Sequence, residues 1–386
     1  MRVVHVTNAY APRSGGIRTT AHALGRGYRA RGHDFVLVVP GRRAADEEHE
    51  WGRLVELPGP VVPGTGGYRV LLDVLRVQAT LDGLAPDRLE VSDRLSLRRL
   101  GGWARRAGVP SLVIAHERVD GVLRAHLRLG ERAARAVADR HNAGTARVFD
   151  RIVATTRYAA TEFDRIGVPT THVPLGVDLE AFHPLPPAGS GPSSPSEPST
   201  PSEPSCLSGP ATLVLCSRLS REKRPDLAVD ALRVLVGRGL EARLVVLGDG
   251  PVLPSLRRRA QGLPVDFLGH VRQRERVARL LAEADVALAP GPVETFGLAA
   301  LEALASGTPV VASSTSAVAE LVTDDAGRCA PPEPQALADA VLDVLSWPVH
   351  VRRAAARRRA ERFPWATTTQ AMLAVHAAPA PSGVTR

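Results

Sequence analysis

The 386-residue chain is 44% hydrophobic and 23% charged with a formal net charge of +9. That is a globular composition, long enough for two domains, whose cation excess suits anionic partners such as nucleotides, phospholipid surfaces or nucleic acid. Aromatics at 4% and the lack of a zinc-knuckle or RNA-binding signature argue against a base-stacking nucleic-acid binder, and no apolar run approaches the roughly 18 residues of a membrane span.

The N-terminus, MRVVHVTNAYAPRSGG, has no long apolar stretch and reads as a first strand over residues 2–6 rather than a signal peptide. The expected compartment is therefore the cytosol, and the three cysteines (Cys206, Cys216, Cys329) show neither metal nor disulfide spacing. Gly15-Gly16 follow that strand and precede a segment of helical periodicity over 18–31. Glycines there let a backbone approach a ligand closely, with helix N–H groups aimed at it, although a tight turn would look the same. Further strands are expected over 34–39, 111–115, 151–154 and 170–173. His116-Glu117 follow the apolar run SLVIA, so His116 stands at a strand's C-terminal end, able to take a proton from an acceptor hydroxyl, hydrogen-bond a sugar, or serve only the structure.

Residues 186–205 read PPAGSGPSSPSEPSTPSEPS, a Pro/Ser tract that cannot form a core and is expected to be an extended linker or surface insertion. Strand patterns restart at 212–216 and recur at 243–247, 265–268, 286–289 and 309–312, separated by helical periodicity over 224–238 and 275–284. Most of these strands are continuously apolar, the mark of parallel strands buried on both faces. The expected architecture is α/β with two Rossmann-like domains, 1–185 and 211–365, joined through 186–210, with 366–386 as a C-terminal segment that could return to the first domain. Two such halves leave a cleft onto which the C-terminal strand ends face, where ligands of open α/β sheets sit.

Arg218 and Lys223 follow the first strand of the second domain, in SRLSREK. A guanidinium fork and an ammonium there could converge on a diphosphate, the alternative being a solvated loop. Gly248-Asp249-Gly250-Pro251 and Gly269-His270 follow later strands, as walls of a nucleotide site or as plain turns. The stretch GPVETFGLAALEALASGTP carries a helix that begins at Gly297 and stops at Gly307, apolar except for Glu302. A buried carboxylate costs several kcal/mol if unpaired, so Glu302 needs a protein cation or ligand hydroxyls. The N–H groups of about Phe296 to Ala299 lack helical partners and favour a phosphate. The segment thus describes phosphates at the helix mouth, Glu302 on hydroxyls and Glu294 facing the reacting group.

At these residues the chain resembles the retaining GT-B glycosyltransferases of family 4. The motifs are Glu294-TFGLAAL-Glu302, Gly15-Gly16, Arg218 with Lys223, and VPLGVDLEAFHP at 173–184. RSGGIRT, LEVSDRLSLRRLG, AHERVD, LPVDFLGH and the segment around Glu294 make it similar above all to the GDP-mannose-dependent mannosyltransferases of phosphatidylinositol mannoside synthesis, the PimC type. That resemblance implies GDP-mannose as donor, a phosphatidylinositol mannoside as acceptor and an α-1,6 linkage. It also implies that Arg218 and Lys223 bind the diphosphate, Glu302 holds ribose hydroxyls, and Glu294 contacts the donor sugar. Thr295, Phe296, Gly297 and Leu298 would present backbone to donor, Gly16 would lie beside its phosphates, and His116 would match the active-site histidine. No DxD motif accompanies these residues, so no cofactor and no essential metal are expected.

Arg124, Arg128, Arg132 and Arg135 would form one basic stripe on a continuous helix, and Arg352, Arg353 and Arg357 to Arg359 a second basic cluster. Either could meet an anionic membrane at the inner face of the plasma membrane, or be a solvated face. Three other readings stay open: a family 4 transferase with a soluble acceptor, a sugar-nucleotide 2-epimerase, and a silent sugar-nucleotide-binding module.

Overall fold

The computed structural model describes residues 1–10, 15–62, 67–116, 118–127, 130–185 and 209–379. The chain divides into two compact units, Met1–Gly176 with Trp365–Arg386, and Val177–Pro364.

The first unit holds strands β1 (Arg2–Val6), β2 (Asp34–Gly41), β3 (Ala45–His49), β4 (Gly52–Pro58), β5 (Arg88–Val91), β6 (Ser111–Ala115), β7 (Arg151–Ala154) and β8 (Thr171–His172). They form one sheet in the order β3-β4-β2-β1-β5-β6-β7-β8. Every pairing is parallel except β3 with β4. Side chains alternate across the sheet. Val4, Val6, Val36, Val38, Leu89 and Val91 therefore enter one core, and Val3, Leu37, Val39, Leu112 and Ile114 enter the other. The helix Trp365–Ala377 closes the second of these cores with Met372 and Val375. The segment that ends the chain thus belongs to the first unit.

The second unit holds β9 (Ala211–Cys216), β10 (Ala242–Leu247), β11 (Val265–Gly269), β12 (Val286–Ala289), β13 (Val310–Ser313) and β14 (Gly327–Ala330). All pairings are parallel in the order β11-β10-β9-β12-β13-β14. The chain winds one way from β9 and the other way from β12, so a topological switch point lies between those two strands. The corresponding point in the first unit lies between β1 and β5.

Two expectations need revision, and a third falls outside the described residues. Residues 177–185 belong to the second unit, not the first. The Arg357 guanidinium donates to the carbonyls of Leu179 (3.3 Å), Phe182 (2.7 Å) and Ala305 (2.9 Å), and Asp178 pairs with Arg274 at 3.5 Å. The Pro/Ser tract 186–205 lies outside the described residues. The Arg124-to-Arg135 stripe is not one helix face, because two helices, Val119–Leu127 and Glu131–Ala146, meet at a break N-capped by Gly130. Arg135 there pairs with Glu131 at 2.5 Å, and Arg128 lies outside the described residues.

Most of the Arg352 cluster faces inward, Arg358 being the exposed member. Arg352 is only 1% exposed and donates to Asp285 at 3.1 Å and to the Leu345 carbonyl at 3.0 Å. Arg353 caps the carbonyls of Ala282 (2.8 Å) and Ala284 (2.9 Å), and Arg359 those of Leu321 (2.7 Å) and Glu320 (2.6 Å). These side chains close carbonyls at helix and turn ends, which otherwise lack partners.

Candidate active site

In the second unit the site forms where the loop after β9 meets the loop after β12. Cys216 ends β9, and the next residues run through Arg218 into a short 3-10 turn, Arg221–Lys223. The turn is held by Ser220 Oγ donating to Glu222 Oε1 at 2.5 Å and by Lys223 N–H donating to the Ser220 carbonyl at 3.1 Å. Gly248 and Gly250, expected as walls of a nucleotide site or as plain turns, pack closely against this loop. A Cβ on Gly248, whose φ is +140°, would come within 1.8 Å of the Ser217 carbonyl oxygen. They position Arg218, whose guanidinium lies 3.5 Å from Glu222 Oε1. Glu222 balances opposing influences. Burial pushes its carboxyl up, while the Ser220 hydroxyl and the charges of Arg218 and Lys223 hold it below the usual value.

On the β12 side, Glu294 is joined directly to the Lys223 ammonium. Burial raises its pKa, but Lys223, Arg218 and the Thr295 backbone N–H outweigh this and hold it below the ordinary carboxylate value. The loop is anchored because Ala317 N–H donates to the Glu294 carbonyl at 2.8 Å. Gly297 then turns left-handed at φ 87° and opens the helix Leu298–Ala305. A Cβ at Gly297 would come within 2.5 Å of Val318 Cγ2, so both conformation and space require glycine. No side chain caps this helix start, and Phe296 is buried beside it.

Glu302 departs from its apolar helix as its composition demands, but no protein cation answers it. It is half-buried and has no hydrogen bond or ion pair among the described residues. Burial pushes its carboxyl up to about 7, with Arg274 pulling down and Asp178 pushing up. Its charge also helps raise the Cys216 thiol to about 12, after burial, which marks Glu302 as close to the C-terminal end of β9. A carboxyl kept half-neutral near pH 7, close to the end of β9 from which the loop bearing Arg218 and Lys223 departs, suits accepting hydrogen bonds from a ligand.

In the first unit, Gly15 N-caps the helix Gly16–Arg29 and Gly16 is its first residue. His116 follows β6, half-buried, with Nε2 3.0 Å from Ser92 Oγ. Burial above all, with the Arg94 guanidinium nearby, lowers its pKa to about 3. Such an imidazole stays neutral across the physiological range and is a poor proton acceptor for a sugar hydroxyl, so it offers hydrogen bonding instead. The chain just after it is fixed by buried Glu162, which accepts from the N–H groups of Val119 (3.0 Å) and Asp120 (2.7 Å) and from Asn142 at 3.2 Å. Among the described residues no cluster of three or more His, Cys, Asp or Glu side chains is placed to hold a metal ion.

Comparison with known proteins gives this geometry its context. Residues 14–181 match the profile described as Glycosyltransferase Family 4, and residues 210–346 the profile described as Glycosyl transferases group 1. The chain is 49% identical over 376 residues to a GDP-mannose-dependent alpha-(1-6)-phosphatidylinositol dimannoside mannosyltransferase of Mycobacterium tuberculosis (strain ATCC 25177 / H37Ra), covering 97% of this chain and 95% of that one. The chain belongs to glycosyltransferase family 4.

The transferase also has the architecture of solved relatives. Sucrose-phosphate synthase from Thermosynechococcus elongatus superposes with a TM-score of 0.75 at 19% identity, covering 97% of this chain and 98% of that one. Anabaena HepE in complex with UDP and glucose gives 0.72 at 17% identity, covering 98% and 99%. These likenesses show the GT-B fold. Within the transferase, the second unit brings Arg218, Lys223, Glu294 and Glu302 to the loops and helix that follow β9 and its neighbour β12, while in the first unit Gly16 opens a helix and His116 follows the end of β6.

Sequence reasoning missed the group behind His116: His5, Glu90 and Ser92, with Tyr28 and His376. The available signal was a histidine in the apolar strand RVVHV and a carboxylate in RLEV, two polar side chains at buried strand positions. It also missed Glu222, which partners Arg218.

Proposed function

We propose that this glycosyltransferase transfers mannose from GDP-mannose to a phosphatidylinositol mannoside, forming an α-1,6 linkage with retention. The observation that carries the donor half is the unpaired, half-neutral Glu302 near the end of β9, the strand whose following loop brings Lys223 onto Glu294. Donor and acceptor identity are supported by 49% identity along 97% of the chain with a protein named for that reaction.

In this reading Arg218, Lys223 and the N–H groups at the mouth of the helix Leu298–Ala305 take up the negative charge that grows on the leaving diphosphate. With that much positive potential supplied by the chain itself, no essential divalent ion is needed. Glu302 accepts hydrogen bonds from the ribose hydroxyls, whose arrival favours its ionised form. Thr295, Phe296, Gly297 and Leu298 present backbone to the donor, and Gly16 lies beside its phosphates. Glu294, neutralised by Lys223, is a weak nucleophile and suits polarising a sugar hydroxyl. Retention then follows from attack on the leaving group's own face, the phosphate oxygen taking the acceptor proton. His116 contributes a hydrogen bond to a sugar.

Lipid acceptor and anionic membrane surface are supported by one face of the first unit. Leu72, Leu75 and Leu95 are 62%, 78% and 63% exposed, although they are large and apolar. Leu72 precedes and Leu75 lies in the helix Val74–Leu84, and Asn8 ties this segment to the turn after Leu95 by accepting from Leu71 N–H at 2.8 Å and donating to Ser96 Oγ at 2.7 Å. A cavity of 360 Å³ lined by Arg98, Arg99 and Arg106 adds positive charge. Exposed leucines on a unit that also carries this basic cavity fit a peripheral contact with anionic lipid at the inner face of a membrane. No helix among the described residues is long and apolar enough to cross one.

A transfer assay pairing a panel of nucleotide sugars with membrane lipid extract tests the proposal. The expected result is mannolipid from GDP-mannose. Its absence, with another sugar moving to a soluble acceptor, would replace this reading with that of a soluble-acceptor transferase.

A further inference from the structure

Behind His116 runs a chain of hydrogen bonds that the transfer reaction does not by itself require. Glu90, on β5, is fully buried and accepts from three elements at once. His5 on β1 donates through Nδ1 (2.8 Å), Tyr28 on the first helix through its hydroxyl (2.7 Å), and His376 on the last helix through Nε2 (2.7 Å). His5 and Glu90 are register partners across β1 and β5, so the pairing is built into the sheet. The other ring nitrogen of His5 lies 2.8 Å from Ser92 Oγ, and that same oxygen lies 3.0 Å from Nε2 of His116. Nδ1 of His116 has no hydrogen-bond partner among the described residues.

The proton inventory gives this chain a direction. An ionised carboxylate only accepts, so the hydrogen between Glu90 and His5 sits on Nδ1 of His5. With a single hydrogen on His5, at Nδ1, its Nε2 presents a lone pair. Ser92 has a single hydroxyl hydrogen and gives it to that lone pair. The Ser92 oxygen is left to accept, and what it accepts is the Nε2–H of His116. Nδ1 of His116 is therefore the unprotonated nitrogen.

We infer that Glu90, His5 and Ser92 are positioning residues that hold His116 as its Nε2–H tautomer, so that Nδ1 is presented as a hydrogen-bond acceptor to a sugar hydroxyl. Ligand-binding histidines commonly have their tautomer set by the bond their other nitrogen makes. Here that bond is relayed through a serine to a buried carboxylate. The C-terminal helix takes part, since His376 helps hold Glu90. The consequence for turnover rests on the transfer reaction proposed above; the tautomer does not.

The test uses the full chain labelled with 15N-histidine, read by long-range proton–nitrogen correlation near pH 7.5. His116 is assigned by the signals lost in His116→Gln. The wild type is expected to show the Nε2–H pattern at His116. Ser92→Ala, a small change in a folded sheet, should turn it into a mixture of tautomers, and Ser92→Thr should restore it. In the transfer assay Ser92→Ala should lower kcat about tenfold with the donor KM unchanged, and Ser92→Thr should recover most of it. An Nδ1–H pattern in the wild type, or a tautomer unaltered by Ser92→Ala, would overturn the inference. Failure of every nucleotide sugar with the Nε2–H pattern intact would instead remove the substrate reading and leave the tautomer assignment standing.

Discussion

Lys223 and Glu294 join side chain to side chain although they come from loops on either side of the switch point, one after β9 and the other after β12. Lys223 holds the Glu294 carboxyl below its ordinary value. Lys223→Ala leaves a half-buried carboxylate without its cation, so the Glu294 pKa should rise and transfer should fall at least a hundredfold, as when a preorganised charge is removed from a transition state. Lys223→Arg should recover only part, because a planar fork does not replace a compact ammonium. Single-turnover rates measure both variants. Wild-type transfer in EDTA should match that with added magnesium; a rate that collapses with EDTA and returns with the metal would contradict the assignment of diphosphate charge to Arg218 and Lys223.

Glu302 makes donor binding depend on pH. Its folded-state pKa of about 7 lies above its ordinary value. The folded protein therefore binds a proton there that the unfolded chain releases, and this contribution to stability is full below the ordinary value and lost as pH rises through 7. Ribose hydroxyls favour the carboxylate, so nucleotide binding near pH 7 should expel protons and weaken as pH falls below 7. Calorimetry in buffers of different ionisation heat measures the proton release. Glu302→Gln should raise Tm at pH 8 while weakening nucleotide binding more than tenfold, the opposite signs expected at a site kept for a ligand. A variant that binds nucleotide as well as the wild type would show that the ribose lies elsewhere.

Two neighbouring arginines should behave differently. Arg352→Ala strips partners from Asp285 and from buried carbonyls, and should cost about 3–5 kcal/mol. Arg358, with its side chain 63% exposed and 3.7 Å from an equally exposed Asp325, should change stability by less than about 0.5 kcal/mol when replaced by alanine. Thermal melts compare them directly. Equal shifts would mean that the cluster is a surface feature after all.

Vesicle co-sedimentation probes the exposed leucines. Leu75→Asp with Leu95→Asp should abolish association with anionic vesicles while leaving nucleotide binding unchanged, since both side chains are exposed and belong to the first unit. Charge on the arginines of the basic cavity should make wild-type association weaken with salt. Undiminished sedimentation of the double variant would move the membrane contact to another face.

Strands buried on both faces were legible because nothing but apolar side chains fits them. β1, β6, β7 and β12 coincide with the apolar runs in the sequence. β3, with the sequence ADEEH, carries its charge on an antiparallel edge, and β5 and β14 are short and contain polar side chains, so no run marks them. Glu294 and Glu302 were legible because one local segment sets their spacing. His5, Glu90, Ser92 and His376 were not, because strand register and the returning last helix assemble them, with Glu90 and His376 bonded across 286 positions of the chain. The arginines of the Arg352 group misled for another reason. Composition records their charge but not their reach, and a long side chain on a buried helix end can spend its donors on carbonyls.

The second unit begins and ends at adjacent points, since Val177 N–H donates to the Phe363 carbonyl at 2.8 Å and Val177 bridges Pro364. The chain therefore carries residues 177–364 as a cassette, inserted into a first unit that resumes at Trp365. Termini so close are what allow a module to be moved between hosts or closed on itself. Recombination at these two junctions would exchange the whole segment holding Arg218, Lys223, Glu294 and Glu302 in one step, without cutting the sheet that holds His116.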